Sequence, residues 1–484
     1  MRFKKIIFFL LLALLALPSI QATFGFFPEK PLAGYFQLME KPEFSEERWD
    51  ASKYQPDFEK FIEDHVGFRS FLVRLNNQVD FSFYDKPNGD GVVIGKNGNF
   101  FIQSYIDAYY GKDFVGTALA DDRMRKLRFL QETWKRKNIE LILVFAPGKA
   151  SFYPEDIPAQ LNVKDTTMTN YKYYLKKCAD LGINYLDLNR WFKELKKTQS
   201  KKYLYYPQYG THLGTFGSSV LADSLVRYIE KALHKDLPDV VFGPQYTSDT
   251  MHGSDYDITD LINLFTQFRN PPMTFSKLSF VVDSTKHKPH VLAVGDSYYM
   301  GLLGTNIPQA VFNDGKYWEY NKRVFPESFE KETMVKDLDL RTEIEKQEMI
   351  VILATEATLH KLSYGFIEDA YSVYCPKDPD EKLALYRNMM KTDQQWNHDL
   401  SLQATKEHIS LDSIINRQAK IQAAEELKSD EKYRAERLAY YEDRIRKDPA
   451  YMALIIAKAK DNLMSVDDVV REDAEWLYNQ EKKK

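Results

Sequence analysis

The chain has 484 residues, 44% of them hydrophobic and 14% aromatic, enough for one large domain with an appendage or for several ordinary domains. Its formal net charge of −4, with both signs mixed along the chain, argues against nucleic acid as a partner. Only two cysteines are present and no Cys/His cluster has zinc spacing, so neither a structural metal nor a cofactor is indicated.

At the N-terminus Arg2, Lys4 and Lys5 precede an apolar run, 6–17, that ends at Pro18, Ser19, Ile20, Gln21 and Ala22. A basic head and a short apolar core are the parts of an export signal. Apolar character continues through Phe24, Phe26 and Phe27, which gives a stretch of about membrane thickness. Residues 1–27 are therefore expected to be a cleaved signal peptide or a signal anchor. In both cases the basic head leaves the bulk of the chain outside the cytoplasm. In an oxidising compartment Cys178 and Cys375 either form one disulfide or remain two buried thiols.

Residues 28–60 read as an extended lead-in, and 57–79 as an amphipathic helix carrying Asp64-His-Val-Gly-Phe-Arg-Ser70. Residues 91–102, with Asn97-Gly98 at their centre, predict a β-hairpin. From residue 121 helix and strand alternate. Helices are predicted over 121–137, 167–181, 189–197 and 218–233, and buried strands over 139–145, 183–186, 291–294 and 349–353. Such alternation implies an α/β fold with a mostly parallel sheet between layers of helices. Residues 234–288 interrupt it as a polar excursion with an apolar helix over 257–268.

Beyond about residue 371 the chain becomes charged and helical and repeats itself. Trp396 matches Tyr451, Ala404 matches Ala459, Ser410-Leu-Asp412 matches Ser465-Val-Asp467, and Ala419 matches Ala474. Each unit reads as two helices, the second capped by Ser410 or Ser465. Two copies make a small helical bundle or a short array.

The stretch His290-Val-Leu-Ala-Val-Gly-Asp-Ser-Tyr-Tyr-Met300 is a short apolar strand, a glycine and the start of a helix. Ser297 on that turn has the address of a nucleophile, at the carboxyl end of a strand where ligand chemistry belongs in parallel sheets. Gly-Asp-Ser is also ordinary turn composition. A serine needs a base. His65, His234, His252, His287, His290, His360, His398 and His408 lie on helices or in polar segments. His212 stands in the Gly-rich loop Tyr205-Tyr-Pro-Gln-Tyr-Gly-Thr-His-Leu-Gly-Thr-Phe-Gly217, from which an imidazole can reach the sheet edge. Glu356, just past the last strand, reads as a surface carboxylate.

These segments, in this order, resemble the AlgX/AlgJ family of SGNH-hydrolase-like proteins, which acetylate exported polysaccharides such as alginate. The resemblance rests on Asp64 to Ser70, Val93-Ile-Gly-Lys-Asn-Gly98, Ala146-Pro-Gly-Lys-Ala150 with Tyr153-Pro154, Gly210-Thr-His212 and Gly295-Asp-Ser-Tyr298, spread over about 300 residues. It implies an SGNH-like domain over 28–370, with 371–484 as an all-α extension outside it. It also implies that Ser297 is acylated and His212 is its base, in the periplasm, with 6–27 a possible inner-membrane anchor. The implied partners are a polysaccharide substrate and a membrane-bound acyltransferase as donor.

One departure matters. The family pattern is Asp-x-His, and here Gly210 stands where the orienting Asp belongs, while Leu213 replaces an aromatic residue. Losing that carboxylate costs about ten-thousandfold in serine proteases. Either Asp187 or Asp296 orients His212 instead, or the site works as a Ser–His dyad, or the domain only binds glycan. Asp296 has the alternative role of capping the helix that follows, and Tyr298 either donates its hydroxyl toward the site or is a core residue. Two functions remain open on the sequence: an O-acetyltransferase or acetylesterase, and an inactive glycan-binding or scaffold subunit of an export complex.

Overall fold

A computed structural model describes residues 2–34, 38–162, 168–199, 203–251, 253–429, 431–462 and 464–482; Thr167 and His252 lie outside these. It divides into two compact units. The first comprises 1–122, 134–178 and 183–366, and the second 123–133, 179–182 and 367–484.

In the first unit the strands are β1 (Val92–Ile94), β2 (Phe100–Ile102), β3 (Glu140–Ala146), β4 (Tyr185–Asp187), β5 (Asp239–Ser248), β6 (Met273–Val281), β7 (His290–Gly295), β8 (Asn313–Glu319), β9 (Arg323–Phe325) and β10 (Met349–Thr355). The central sheet has the order β4-β3-β10-β7-β8-β9. Its first five strands are parallel, and β9 closes the edge antiparallel to β8. Every residue of β10 is buried, as the unbroken apolar run Met349–Leu353 requires of a strand covered on both faces. The parallel register brings the ends of β3, β10 and β7 to one edge, where Lys149, Thr355 and Ser297 follow.

The alternating helices and strands from residue 121 onward stand where the pattern places them. Elsewhere the structure departs from it. The helix expected over 57–79 is two helices, Tyr54–His65 and Arg69–Tyr84, broken where Phe68 takes a left-handed φ of 61°. The hairpin expected over 91–102 forms, with β1 antiparallel to β2, but its turn is a short 3-10 segment with Asn97 at φ 54°. The helix expected over 257–268 stops at Ile262, with Asn263 left-handed at its end. The excursion 234–288 contains the antiparallel hairpin β5–β6. Cys178 and Cys375 are both buried and unpaired. The helix Arg2–Phe24 contains a 22-residue span long and apolar enough to cross a membrane.

The second unit corrects the expected two-helix repeat to a three-helix one. Helices Pro379–Thr392, Gln394–Glu407 and Leu411–Ser429 form one bundle, and Glu431–Lys447, Pro449–Asn462 and Val466–Lys482 form another. The first core is Tyr386, Met390, Leu400, Ala404, Ile414, Ile415, Ala419 and Ala423. The second is Tyr441, Ile445, Ile455, Ala459, Val469, Val470, Ala474 and Tyr478. Each member of one matches a member of the other at the same offset (441 − 386 = 55). The added helix is the first of each repeat, where Leu383, Ala384 and Tyr386 recur as Leu438, Ala439 and Tyr441, a match that the expected two-helix unit left out. In the first bundle the Arg125 Nε donates to Asp393 Oδ2 at 2.8 Å, and its guanidinium lies 3.9 Å from the Trp396 ring centre.

The two cores are separate clusters. Leu400→Ala and Ile455→Ala are each expected to destabilise their own bundle by about 2–5 kcal/mol, as large-to-small changes at buried sites do. In the double variant the two losses should add within about 0.5 kcal/mol. Urea titration followed by far-UV circular dichroism checks this, and strong coupling between the sites would contradict two independent cores.

Candidate active site

At the end of β7, Gly295 passes so close to β10 that a Cβ there would lie 2.8 Å from the Leu353 carbonyl oxygen. A side chain is excluded, and the chain turns directly into the helix Tyr298–Leu303. Asp296, 1% exposed, fixes this turn. Its Oδ2 accepts from Thr355 N–H at 2.8 Å, Thr355 Oγ1 at 2.8 Å and Thr358 Oγ1 at 2.7 Å, and its Oδ1 accepts from Tyr298 N–H at 3.1 Å. The carboxylate thus stitches the ends of β7 and β10 together. Ser297, partly exposed, is left facing outward on a rigid corner.

The Ser297 Oγ lies 2.8 Å from His212 Nε2, and His212 Nδ1 is hydrogen-bonded to Asp257 Oδ2. A carboxylate can only accept, so Nδ1 carries the proton and Nε2 presents its lone pair to the serine hydroxyl. Asp257 Oδ1 accepts from Thr211 N–H at 2.7 Å, which pins the carboxylate to the residue before His212. Serine, imidazole and carboxylate therefore form one hydrogen-bonded chain, in the order a nucleophile, its base and the base's orienting group require.

The carboxylate facing His212 is thus Asp257, and neither Asp187 nor Asp296 occupies that position. Asp187 accepts from the Tyr171 hydroxyl at 2.9 and 3.0 Å and from Arg190 N–H at 2.9 Å, so it caps the helix Leu188–Gln199. Asp296 is committed to the strand ends. Tyr298 is buried; its hydroxyl donates to the Thr211 carbonyl at 2.7 Å, and its ring centre lies 5.0 Å from that of His212. It backs the imidazole and does not point at the reacting oxygen. Glu356, expected at the surface, is buried against the Ser151 hydroxyl, and burial raises its pKa.

Gly210 explains why the carboxylate comes from elsewhere. A Cβ at this position would lie 2.2 Å from the Ser254 carbonyl oxygen and 2.7 Å from Pro207 Cγ. The turn that occupies this space leads directly into Asp257, the first residue of the helix Asp257–Ile262. One segment therefore excludes a side chain at 210 and supplies the carboxylate that such a side chain would have carried. Sequence reading placed Asp257 only at the start of an apolar helix over 257–268. The clue available was a glycine two positions before the base, which demands an orienting group from a distant part of the chain.

Two further residues near the nucleophile carried no sequence signal. The Ser297 N–H donates to the Tyr320 hydroxyl at 3.4 Å, and the Tyr320 and Tyr364 rings meet edge to face at 5.0 Å. Both tyrosines have left-handed backbone, φ 50° and 55°, a conformation costly for large side chains and concentrated at functional sites. A groove of about 800 Å³, lined in part by Phe71, Tyr256, Phe265 and Phe268, runs along the helix that begins at Asp257.

Residues 92–305, which include Lys149, His212, Asp257 and Ser297, match the model of the SGNH hydrolase-like domain of the acetyltransferase AlgX. Over that span the chain is similar to an AlgX-type SGNH hydrolase-like domain. A probable alginate O-acetylase AlgJ of Azotobacter vinelandii is 24% identical over 268 residues, 51% of this chain and 62% of the relative. The chain thus spans less than two thirds of the length of that relative. Among solved structures, the O-acetyltransferase domain of Pseudomonas putida AlgJ is 16% identical and aligns over 56% of this chain and 92% of its own, with a TM-score of 0.35. Pseudomonas aeruginosa AlgX is 15% identical over 57% of this chain and 66% of its own, with a TM-score of 0.36. The matched span of the AlgX-type domain ends before β10, whose Thr355 holds Asp296.

Asp257→Asn keeps the shape of the side chain and removes its charge. It is expected to lower ester turnover by about 10⁴-fold, the loss seen when a serine protease loses its orienting carboxylate, with little change in melting temperature. Gly210→Asp is not expected to rescue it. The added Cβ collides with the Ser254 backbone, so that variant should unfold earlier and stay inactive, which thermal melting and ester turnover together would reveal.

Proposed function

We propose that the protein is an extracytoplasmic O-acetyltransferase acting on an exported polysaccharide, with Ser297 as acyl-accepting nucleophile, His212 as general base and acid, and Asp257 as the group that orients it. The observation that carries this reading is the continuous chain Ser297–His212–Asp257 at the carboxyl edge of a parallel sheet.

In the first half-reaction His212 Nε2 takes the Ser297 proton as Oγ attacks the acetyl carbonyl of the donor. The tetrahedral adduct then collapses, the C–O or C–S bond to the leaving group breaks, and the imidazolium returns the proton to that group. In the second half-reaction a sugar hydroxyl gives its proton to His212 and attacks the acetyl ester. The ester bond to Oγ breaks and Ser297 regains its proton. The Ser297 N–H, now turned to the Tyr320 hydroxyl, is placed to receive the oxyanion in both steps.

Transfer must outrun hydrolysis, so the acceptor has to be held where water is not. The aromatic groove along the helix of Asp257 is lined by neither Ser297 nor His212, so it supports a carbohydrate chain as acceptor by holding units away from the reacting hydroxyl on exposed aromatic faces. Phe71 and Phe265, their ring centres 5.3 Å apart, offer such a surface. The apolar helix near the N-terminus supports work outside the cytoplasm, with that helix as a signal or an inner-membrane anchor and a membrane acyltransferase as the acetyl source. The alternative, an inactive glycan-binding subunit, is favoured by Gly210; the Asp257 carboxylate beside His212 supports the enzyme reading over it.

Two outcomes test this function. Purified protein should release the chromophore from an aryl acetate and carry an acetyl group on the Ser297 peptide by mass spectrometry, both lost in Ser297→Ala; wild type no faster than that variant would sink the enzyme reading. Phe265→Ala should raise the KM for an oligosaccharide acceptor by about 10-fold and leave aryl acetate hydrolysis unchanged, since a stacked ring contributes on the order of 1 kcal/mol.

A further inference from the structure

Among the buried charges that the mechanism leaves unused is Lys149. Lys149 follows β3 through Ala146-Pro-Gly148 and is 0% exposed. Its Nζ donates to the carbonyl oxygens of Pro207 at 2.8 Å, Gln208 at 2.9 Å and Gly210 at 2.7 Å. An ammonium group has three N–H donors, and here each has its own acceptor. Among the described residues it makes no ion pair; the face of the Phe101 ring, 5.6 Å away, completes its shell. A charge taken this far out of water is tolerated only when fully hydrogen-bonded.

Three carbonyls turned to one point within four residues would repel one another without a cation between them. The matching N–H groups turn outward and are also held, Tyr209 by the Asn270 side chain at 3.0 Å and Thr211 by Asp257 at 2.7 Å. The last carbonyl that Lys149 holds is two residues before His212. Building on the acyl-transfer reading above, we propose that Lys149 is a positioning residue of this site, whose ammonium gathers the carbonyls of Pro207, Gln208 and Gly210 and thereby presents His212 to Ser297.

This clamp is protonation-dependent. Burial draws the Lys149 pKa down from its ordinary value to about 7, with Asp257 and Asp156 pulling the other way. Below that pH the ammonium has three donors for three carbonyls. Above it the amine has two, and its lone pair faces the third carbonyl. The loop should therefore loosen, and turnover fall, as pH rises through about 7. Other titratable groups on the elements packed around Lys149 include Tyr105, Asp156, Lys193, Lys196, Tyr206, His212, Asp257 and Glu356. Burial pushes the two tyrosine hydroxyls well above their usual range. Glu356 is also raised by burial, so it needs its own control.

The experiment measures aryl acetate turnover of the full chain from about pH 6 to about pH 9 in wild type, Lys149→Met and Glu356→Gln. Wild type and Glu356→Gln should both lose rate above about pH 7. Lys149→Met, similar in volume but without donors, should lower kcat by about 10²-fold with KM within about twofold, and its residual rate should lack that alkaline fall. Unchanged kcat in Lys149→Met, or a reduced rate that keeps the fall, overturns the proposal. If that variant does not fold, wild type decides, because a rate that stays level to about pH 9 overturns it equally. If wild type turns over no ester at all, the acyl-transfer reading has failed and the clamp is read separately from the His212 Nδ1–H proton resonance. That resonance should be sharp at about pH 6 and broaden as pH rises past about 7; a resonance indifferent to pH overturns the proposal.

Discussion

The base of this site sits on a stretch of chain with no ladder of its own. Between Pro207 and His212 neither helix nor strand supplies hydrogen bonds, so each backbone polar group that is turned inward must be met individually. Lys149 takes three carbonyls, Phe100 N–H shares that of Gln208, the Tyr298 hydroxyl takes that of Thr211, and Asn270 and Asp257 take two N–H groups. Much of the first unit is arranged around this requirement. β2, the turn after β3, the turn before Asp257, the segment before β6 and the residue after the nucleophile each contribute a partner.

That arrangement gives the scattered motifs a common purpose. The Ala146-Pro-Gly-Lys149 segment delivers the ammonium. The hairpin containing Asn97 is fastened to Asp156 through the Asn97 and Asn99 side chains, at 2.7 and 2.6 Å, and its Asn97 carbonyl accepts from Gln208 Nε2 at 2.9 Å. The glycine at 210 admits the neighbouring turn. Residues far apart in sequence are thus partners of one short loop, and the imidazole inherits its position from them.

What sequence could read follows from how local each signal is. The buried strands β3, β7 and β10 are continuous apolar runs, and the turn from β7 into its helix is contiguous, so Ser297 was legible. His212 was legible through its Gly-rich loop and the resemblance. Asp257 was not, because its role depends on a close approach of two segments 45 residues apart, and the only trace in sequence is a missing side chain at 210. The hairpin β5–β6 was invisible for another reason. Half of β5 is exposed, and Gly243 and Pro244 interrupt it, so no buried face imprints a hydrophobic period. In the helical unit the repeat was read in the second and third helices, and the first carries the same period, with Leu383, Ala384 and Tyr386 recurring as Leu438, Ala439 and Tyr441.

The two bundles fill the same interior positions and differ in what their exteriors touch. Asp393 and Trp396 of the first are occupied by Arg125, and Asp393 is nearly buried as a result. The corresponding Asp448 still caps its helix through Ala450 and Tyr451 N–H, yet stands exposed beside Tyr451. A duplicated unit that preserves its packing is free to change what it touches, so selection on folding and selection on contact act here on separate sets of positions. Inheritance of the core and divergence of the face have become independent events.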